Sequence, residues 1–138
     1  MPHQIIEYSA NLDNVIDIPN LVSTLHEHAA SFEVLPTAGL RTRSHSTSQY
    51  QIADGHADNG FIAVCLRIGE GRDKDTRKKI GESLFQRLCD YVEQNYVGPK
   101  DIKPPIAISY EVQEIESAMR WNKNHIRAHL ERRGVEYK

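Results

Sequence analysis

Apolar positions recur along the chain with two different spacings, and each spacing predicts a different kind of element. Strands are indicated by strict alternation, as in PIAISYEVQEI, or by a near-continuous apolar run, as in FIAVCLRIG. A continuous run suits a strand covered on both faces, so FIAVCLRIG is predicted to lie at the centre of the sheet. The segment LRTRSHSTSQYQIAD is rich in Ser and Thr and is predicted to form a long, partly exposed strand. The four predicted strands are His3 to Tyr8 and residues 40–54, 61–69 and 105–115.

Helical spacing occurs in two longer segments. In IDIPNLVSTLHEHAASFEV, Pro19 suits the first turn because its missing N–H is no loss there. The second helix is predicted to be capped by Asp73 and to run to about Tyr96. A short helix or hook is expected from Trp121 to Arg133. The apolar stripes are Leu21, Val22, Leu25, Ala29 and Phe32 in the first helix, and Ile80, Leu84, Leu88 and Val92 in the second, with Phe85 beside them.

The order of these elements predicts an α/β (α+β) fold made of two βαβ units in tandem, about 1–58 and 59–138, within one domain. The resulting mixed four-stranded sheet carries its two helices on one face. The other face is uncovered within a single chain. A second copy of the chain is the simplest cover, so we expect a closed homo-oligomer.

Composition narrows the functional classes. The 138 residues include 17 basic and 19 acidic side chains, a net charge of -2, and no basic run suggests a nucleic-acid partner. No apolar run approaches membrane-spanning length, and the N-terminus lacks a signal-peptide pattern. Cys65 and Cys89 are not in CxxC spacing and are predicted to be buried reduced thiols. We therefore expect a cytoplasmic protein.

Three cationic residues alternate along one predicted strand. Arg41, Arg43 and His45 in LRTRSHS share one face because side chains of a strand alternate with period two. They could be solvated or paired with carboxylates across the sheet. They could instead form a cationic pocket, since paired guanidinium groups suit a ligand with several carboxylates.

Arg72 follows a Gly-x-Gly turn at the end of the predicted central strand. Ligands often bind where such strands end, so we expect Arg72 to bind ligand in preference to the surface residues Arg77 and Lys78. The turn has neither of the glycine patterns of nucleotide-binding loops.

A metal site is not predicted. His26 and His28 are two apart on a helix and do not face each other, and neither HExxH nor a cysteine pair is present. Asp54, His56 and Asp58 could be ligands, but a polar turn explains them equally well.

Pro2 has two interpretations. It is tolerated as the first residue of a strand, which would make it structural. It is also small enough to permit removal of Met1, which would leave a free secondary amine able to act as a base.

The stretch IGEGRDKDTRKKIGESL resembles the turn and helix of the tautomerase superfamily, whose small members begin with a catalytic proline and carry an arginine in an ILEGR-type turn. Pro2 and Arg72 match these positions. The segments PHQIIEYS, PTAGLRTRSH, ADGHADNGFIAVCLRIGEGR and WNKNHIRAHL are similar to the 5-carboxymethyl-2-hydroxymuconate isomerase family. Gln4 departs from that family's pattern, in which an apolar residue is usual.

The resemblance implies a homotrimeric, cofactor-free isomerase that shifts a proton and a double bond in a 2-hydroxydienoate with several carboxylates, in the breakdown of homoprotocatechuate. Pro2 would be the general base, and Arg41 and Arg72 would bind carboxylates and the enol oxygen. Arg43 and His45 are further candidates for substrate contact. The alternatives are a tautomerase acting on another keto-enol acid, an enzyme with hydrolytic activity, or a trimeric binding protein without catalysis.

Overall fold

The computed structural model describes residues 1–136. Its strands are β1 (His3–Ser9), β2 (Arg41–Thr47), β3 (Gly60–Gly69) and β4 (Ile106–Ile115), and its helices are α1 (Ile18–Ala30), α2 (Lys74–Asn95) and α3 (Ile126–Arg132). Three short 3-10 turns occur at Ala10–Asn14, Thr37–Gly39 and Ser117–Met119.

The four strands form one mixed sheet in the order β2-β1-β3-β4. β1 and β2 are parallel with α1 between them in the chain, and β3 and β4 are parallel with α2 between them. The two units join through the antiparallel pair β1 and β3. The predicted tandem βαβ fold and the interior position of β3 are therefore confirmed.

The second long helix begins at its predicted cap, and both long helices bury most of their predicted stripes, with Val22 and Phe32 only half-buried. The side chain of Asp17 accepts a hydrogen bond from the backbone N–H of Asn20, and Asp73 does the same for Thr76. One detail of the α2 stripe differs from the prediction. Phe85 is 40% exposed, and Tyr91 is buried instead, with its hydroxyl donating to the Asp17 carbonyl at 2.7 Å.

The predicted second strand is too long, because β2 ends at Thr47. The chain then enters an irregular loop in which Ala53 and Gly55 have positive φ angles. Short polar side chains bond to the neighbouring backbone here, and such local bonds compete with a strand ladder. The side chain of Asn59, for example, donates to the Ile52 carbonyl and to Asp54.

Strand register separates the two faces of the sheet. Ile6, Val64 and Leu66 point to the face that packs against the helices and are buried. The opposite face, called here the uncovered face, carries residues from all four strands. Its members include Arg41, Arg43 and His45 of β2, His3, Ile5 and Glu7 of β1, Phe61, Ala63, Cys65 and Arg67 of β3, and Glu111 of β4.

The cysteines are half-buried rather than fully buried, so that part of the prediction is wrong. Cys65 lies on the uncovered face, where no helix packs. Both thiols are free, and burial raises the pKa of each. Within residues 1–136, no helix has the length and apolar character needed to cross a bilayer.

Candidate active site

A cavity of about 420 Å³ opens beside the N-terminus, where the start of β1, the end of β3 and the residues after β4 meet. We call it the N-terminal cavity, and we call residues 116–136 the C-terminal tail. The cavity is lined by Met1, Pro2, Pro36, Gly39, Gly69, Arg72, Arg120, Asn122, Asn124 and Arg127.

Pro2 lies buried in the wall of this cavity, directly before β1. Its carbonyl accepts a hydrogen bond of 3.1 Å from the backbone N–H of Arg41, which extends the β1–β2 ladder by one residue. Met1 is attached to Pro2 in the structure, so the Pro2 nitrogen is an amide. Removal of Met1 would leave an amine at this position in the cavity wall.

Arg41 is the member of the β2 cationic row that reaches the N-terminus. Its Nη1 donates to the Gly39 carbonyl at 3.0 Å and contacts the Met1 sulfur at 3.2 Å. Loss of Met1 would free the second of these contacts. Arg41 therefore lies where a guanidinium group could interact with a molecule bound beside Pro2.

Arg72 lines the cavity, but most of its donors are already used. Its Nε and Nη2 both donate to the Val34 carbonyl, and its Nη1 donates to the Gly69 carbonyl at 3.0 Å. A guanidinium has five N–H donors, so about two remain for a ligand. Arg72 thus fixes the turn after β3 as well as contributing charge to the cavity.

Arg77 is not the simple surface residue that was predicted. Its Nε donates to the Arg72 carbonyl at 3.3 Å, and its Nη1 forms a 3.3 Å salt bridge with Glu114 on β4. Arg77 therefore supports the turn that carries Arg72. Lys78 is exposed, in agreement with its prediction.

The electrostatic field at the N-terminus is positive. Burial lowers the pKa of the terminal amine on Met1, and three nearby guanidinium charges lower it further. Both effects disfavour the protonated form. In order of their effect, these charges belong to Arg120, Arg72 and Arg41. The pKa of Arg72 is itself lowered, first by burial and then by Arg120.

Arg43 and His45 lie elsewhere. They share the face of Arg41, as predicted, but they extend along the uncovered face and do not line the N-terminal cavity. Arg43 Nη1 lies 3.2 Å from His3 Nδ1. Burial and the charge of Arg43 lower the pKa of His3, so the neutral ring can accept this bond. His45 is exposed opposite Glu7 in the register.

Sequence reasoning missed the cavity residues of the C-terminal tail, namely Arg120, Asn122, Asn124 and Arg127. Asn124 ties this segment to the core, because its Nδ2 donates to the Ala38 carbonyl at 2.8 Å. The short helix expected between Trp121 and Arg133 is present as α3, but the tail shows no strong apolar period, so its path beside the cavity could not be predicted. The density of Arg and Asn in RWNKNHIR was the available signal.

The histidine and loop candidates have structural partners. His26 Nδ1 lies 2.8 Å from Thr42 Oγ1, and His28 Nε2 lies 2.8 Å from Ser83 Oγ. In the loop, the Asp54 carboxylate accepts from the backbone of His56 and from Asn59, as a polar turn requires. Among the described residues, no group of three His, Cys, Asp or Glu side chains could hold a metal ion.

Comparison with known proteins identifies the family. Residues 2–130 match the family model of 5-carboxymethyl-2-hydroxymuconate isomerase. The Escherichia coli 5-carboxymethyl-2-hydroxymuconate Delta-isomerase is 30% identical over 128 residues, covering 93% of this chain and 98% of that protein. A 5-carboxymethyl-2-hydroxymuconate isomerase structure from Deinococcus radiodurans R1 superposes with a TM-score of 0.81 at 30% identity, covering 93% of this chain and 92% of that one.

A more distant structure shares the fold alone. A fused 4-OT symmetric trimer superposes with a TM-score of 0.51 at 11% identity, covering 88% of this chain and 93% of that one. The tautomerase-like fold predicted from the sequence is therefore confirmed. The chain is an isomerase enzyme, and it belongs to the 5-carboxymethyl-2-hydroxymuconate isomerase family.

Proposed function

We propose that this isomerase converts 5-carboxymethyl-2-hydroxymuconate, or a similar 2-hydroxydienoate with several carboxylates, into its conjugated ketone. In the mature chain, with Met1 removed, the Pro2 amine takes the hydroxyl proton of the substrate. The electron pair that this leaves is delocalised over the dienolate. The protonated amine then returns the proton to the carbon at the far end of the diene, so that no atoms are gained or lost.

The observation that carries this proposal is the burial of Pro2 in a cavity where burial and nearby guanidinium groups lower the pKa of the adjacent terminal amine, that of Met1. An α-amino group has an ordinary pKa of about 8, and the same burial and charges would favour the free base of a Pro2 amine exposed at this position. A positioned base of this kind contributes a rate factor of about 10² to 10⁴.

Arg41 and Arg72 supply the second part of the mechanism. Negative charge develops on the enol oxygen and its neighbouring carboxylate, and pre-aimed donors on such an oxygen are worth about 3 to 4 kcal/mol each. Arg41 has a donor directed at the position of Met1, and Arg72, which lines the cavity, retains about two donors. Arg43 and His45 remain predicted substrate contacts that a neighbouring protomer would have to complete.

We further propose that the protein acts in the cytoplasm as a homotrimer in homoprotocatechuate breakdown. The half-buried apolar side chains Ile5, Phe61 and Ala63 on the uncovered face support self-association. The fused 4-OT trimer, whose fold this chain shares, is consistent with three copies.

The decisive experiment compares two chains that differ by one residue at the N-terminus. Mature chain beginning at Pro2, verified by intact mass, is assayed for loss of the dienol absorbance of 5-carboxymethyl-2-hydroxymuconate. The control carries one glycine before Pro2, which keeps a terminal amine but makes the Pro2 nitrogen an amide. We expect activity only in the first chain. Inactivity of the mature chain, or full activity of the glycine-extended chain, would refute Pro2 as the base.

A further inference from the structure

We propose that Arg120 binds a substrate carboxylate that is separate from the reacting enol acid, and that it thereby sets the preference for a more highly charged substrate. The inference rests on the proposed function of the same cavity. It assigns a specificity-determining role to a residue of the C-terminal tail.

The first argument is the availability of hydrogen-bond donors. Among residues 1–136, the guanidinium of Arg120 donates no hydrogen bond and forms no salt bridge, although it lines the cavity and is half-buried. Arg72 has three of its donors on backbone carbonyls. Arg120 therefore offers a complete fork for a carboxylate, which accepts two parallel bonds from such a group.

The second argument is the position of the guanidinium on Gly69. A Cβ atom added at Gly69 would lie 2.5 Å from Nη2, 2.7 Å from Cζ and 2.8 Å from Nη1 of Arg120. All three atoms of the fork thus lie against the glycine, which has space for them only because it carries no side chain. Gly69 is the last residue of β3, so the guanidinium is held at the end of the central strand, where ligands bind in α/β folds.

The third argument is that the backbone around Arg120 is fixed on both sides. On one side, the backbone N–H and the hydroxyl of Ser117 both donate to Glu70 Oε1, at 2.8 and 2.5 Å. On the other side, Asn124 bonds the Ala38 carbonyl. Arg120 lies between these two attachments, so little backbone conformational entropy is lost when it binds a ligand.

Charge explains why the occupant should be strongly anionic. The guanidinium groups of Arg120 and Arg72 are close enough that the first lowers the pKa of the second. Bringing two such groups together is unfavourable unless negative charge lies between them. The nearby carboxylate of Glu70 is exposed and already accepts two bonds from Ser117. A substrate with one carboxylate at the enol and another further along would compensate both cations.

The test compares 5-carboxymethyl-2-hydroxymuconate with 2-hydroxymuconate, which has the same diene without the carboxymethyl group. For Arg120→Met in the mature chain, we expect kcat/KM on the first substrate to fall about ten- to a hundredfold, as for a lost charged hydrogen bond, mainly through KM. On the second substrate, assayed at a pH above the acidic limb of both enzymes, the change should be less than about threefold. Lys123→Met is the matched control, because Lys123 lies on the same tail outside the cavity.

Two further variants separate positioning from charge. Gly69→Ala forces the flexible guanidinium end of Arg120 to move. The preference for 5-carboxymethyl-2-hydroxymuconate over 2-hydroxymuconate should therefore fall while the fold is kept. Arg120→Lys keeps the charge without the fork and should show an intermediate preference. The assignment would be overturned if Arg120→Met left the ratio of kcat/KM on the two substrates unchanged, including by equal losses on both. It would also be overturned if Lys123→Met changed this ratio as much as Arg120→Met does.

A binding measurement keeps this inference separate from the proposed reaction. Propane-1,2,3-tricarboxylate and glutarate are titrated calorimetrically into the wild-type protein and Arg120→Met. We expect the variant to lose affinity for the tricarboxylate and to retain its weaker binding of glutarate. If neither dienol is turned over by the wild type, the proposed reaction fails, and this titration still decides whether Arg120 binds the additional carboxylate.

Discussion

Tyr110 on β4 donates a hydrogen bond of 2.9 Å to the side chain of Gln4 on β1, across the intervening strand β3. Gln4 is fully buried, and its amide nitrogen donates to the Leu25 carbonyl of α1 and to Thr42 on β2. The residue that departs from the apolar family pattern is therefore the centre of a polar network that joins three strands and a helix.

This network predicts strong coupling between Gln4 and Tyr110 in stability. Gln4→Leu should lower the free energy of unfolding by about 1–3 kcal/mol for each buried partner it leaves unpaired, and Tyr110→Phe should also destabilise. The double variant should be less destabilised than the sum of the two, because both ends of the bond are removed together. Urea unfolding at one fixed protomer concentration gives all four values. Additive losses would contradict the coupling.

The sheet could be predicted because its signals are local. Alternation in β4 and the continuous apolar run of β3 identify strands without knowledge of their partners. The cap of α2 at Asp73 could be predicted for the same reason, since its capping bond spans three residues, whereas the equivalent cap of α1 at Asp17 was not predicted. The end of β2 was misjudged because Ser and Thr suit both an exposed strand and a loop.

The cavity was only partly predictable because it is built from distant segments. Pro2 and Arg72 were found through motifs, and the alternation in β2 identified Arg41. Arg120 lies 51 positions after Gly69 in the chain and contacts it only through the fold of the tail. No periodicity encodes such a contact. The hydrogen bond from Arg77 to the Arg72 carbonyl was missed because Arg77 was taken as a surface residue, although it precedes Ile80 by three positions and so shares its helix face.

Arg72 both carries charge in the cavity and fixes the turn after β3. Its substitution should therefore lower activity more than substitution of the neighbouring Lys78. Arg72→Ala should reduce both kcat and affinity by about tenfold or more, because it removes charge from the cavity and releases the Val34 carbonyl. Lys78→Ala should leave activity unchanged within about twofold, as expected for a solvated surface side chain. Steady-state kinetics on one dienol substrate measures both.

Arg77→Ala should give an intermediate loss, because it frees the Arg72 carbonyl and breaks the bridge to Glu114. Glu114→Gln breaks only the bridge, which is partly exposed and contributes less than about 1 kcal/mol. Glu114→Gln is therefore the matched control for Arg77→Ala. Equal activity in the Arg72, Arg77 and Lys78 variants would show that the turn after β3 does not act on the substrate.

The uncovered face predicts self-association that one substitution disrupts. Ile5 lies between Arg43 of β2 and Cys65 of β3 in the register and is half-buried in the isolated chain. Ile5→Asp would bury a charge against a neighbouring copy, at a cost of several kcal/mol. Light scattering should give three times 15.7 kDa for the wild type and a smaller mass for the variant. Glu7→Asp on the same face is the control and should remain assembled.

The positive field at the N-terminus predicts the direction of the pH dependence. The amine is active in its unprotonated form, so kcat/KM should rise with pH through the pKa of the Pro2 amine and then level off. Removal of a neighbouring positive charge lets the amine hold its proton more firmly, which raises that pKa. Arg120 is the first of the guanidinium groups that lower the pKa at this terminus. Arg120→Met should therefore move the acidic limb of the profile to higher pH.

Arg120→Lys separates charge from hydrogen bonding in this measurement. The lysine keeps a positive charge near the amine, so its acidic limb should stay close to that of the wild type even where its affinity for substrate is reduced. The profiles are measured with 2-hydroxymuconate, for which we expect Arg120 to contribute little binding. An acidic limb that is unmoved in Arg120→Met, or moved to lower pH, would show that this guanidinium does not act on the base. A shift in Arg120→Met alone would connect the tail residue to the proton transfer through its charge.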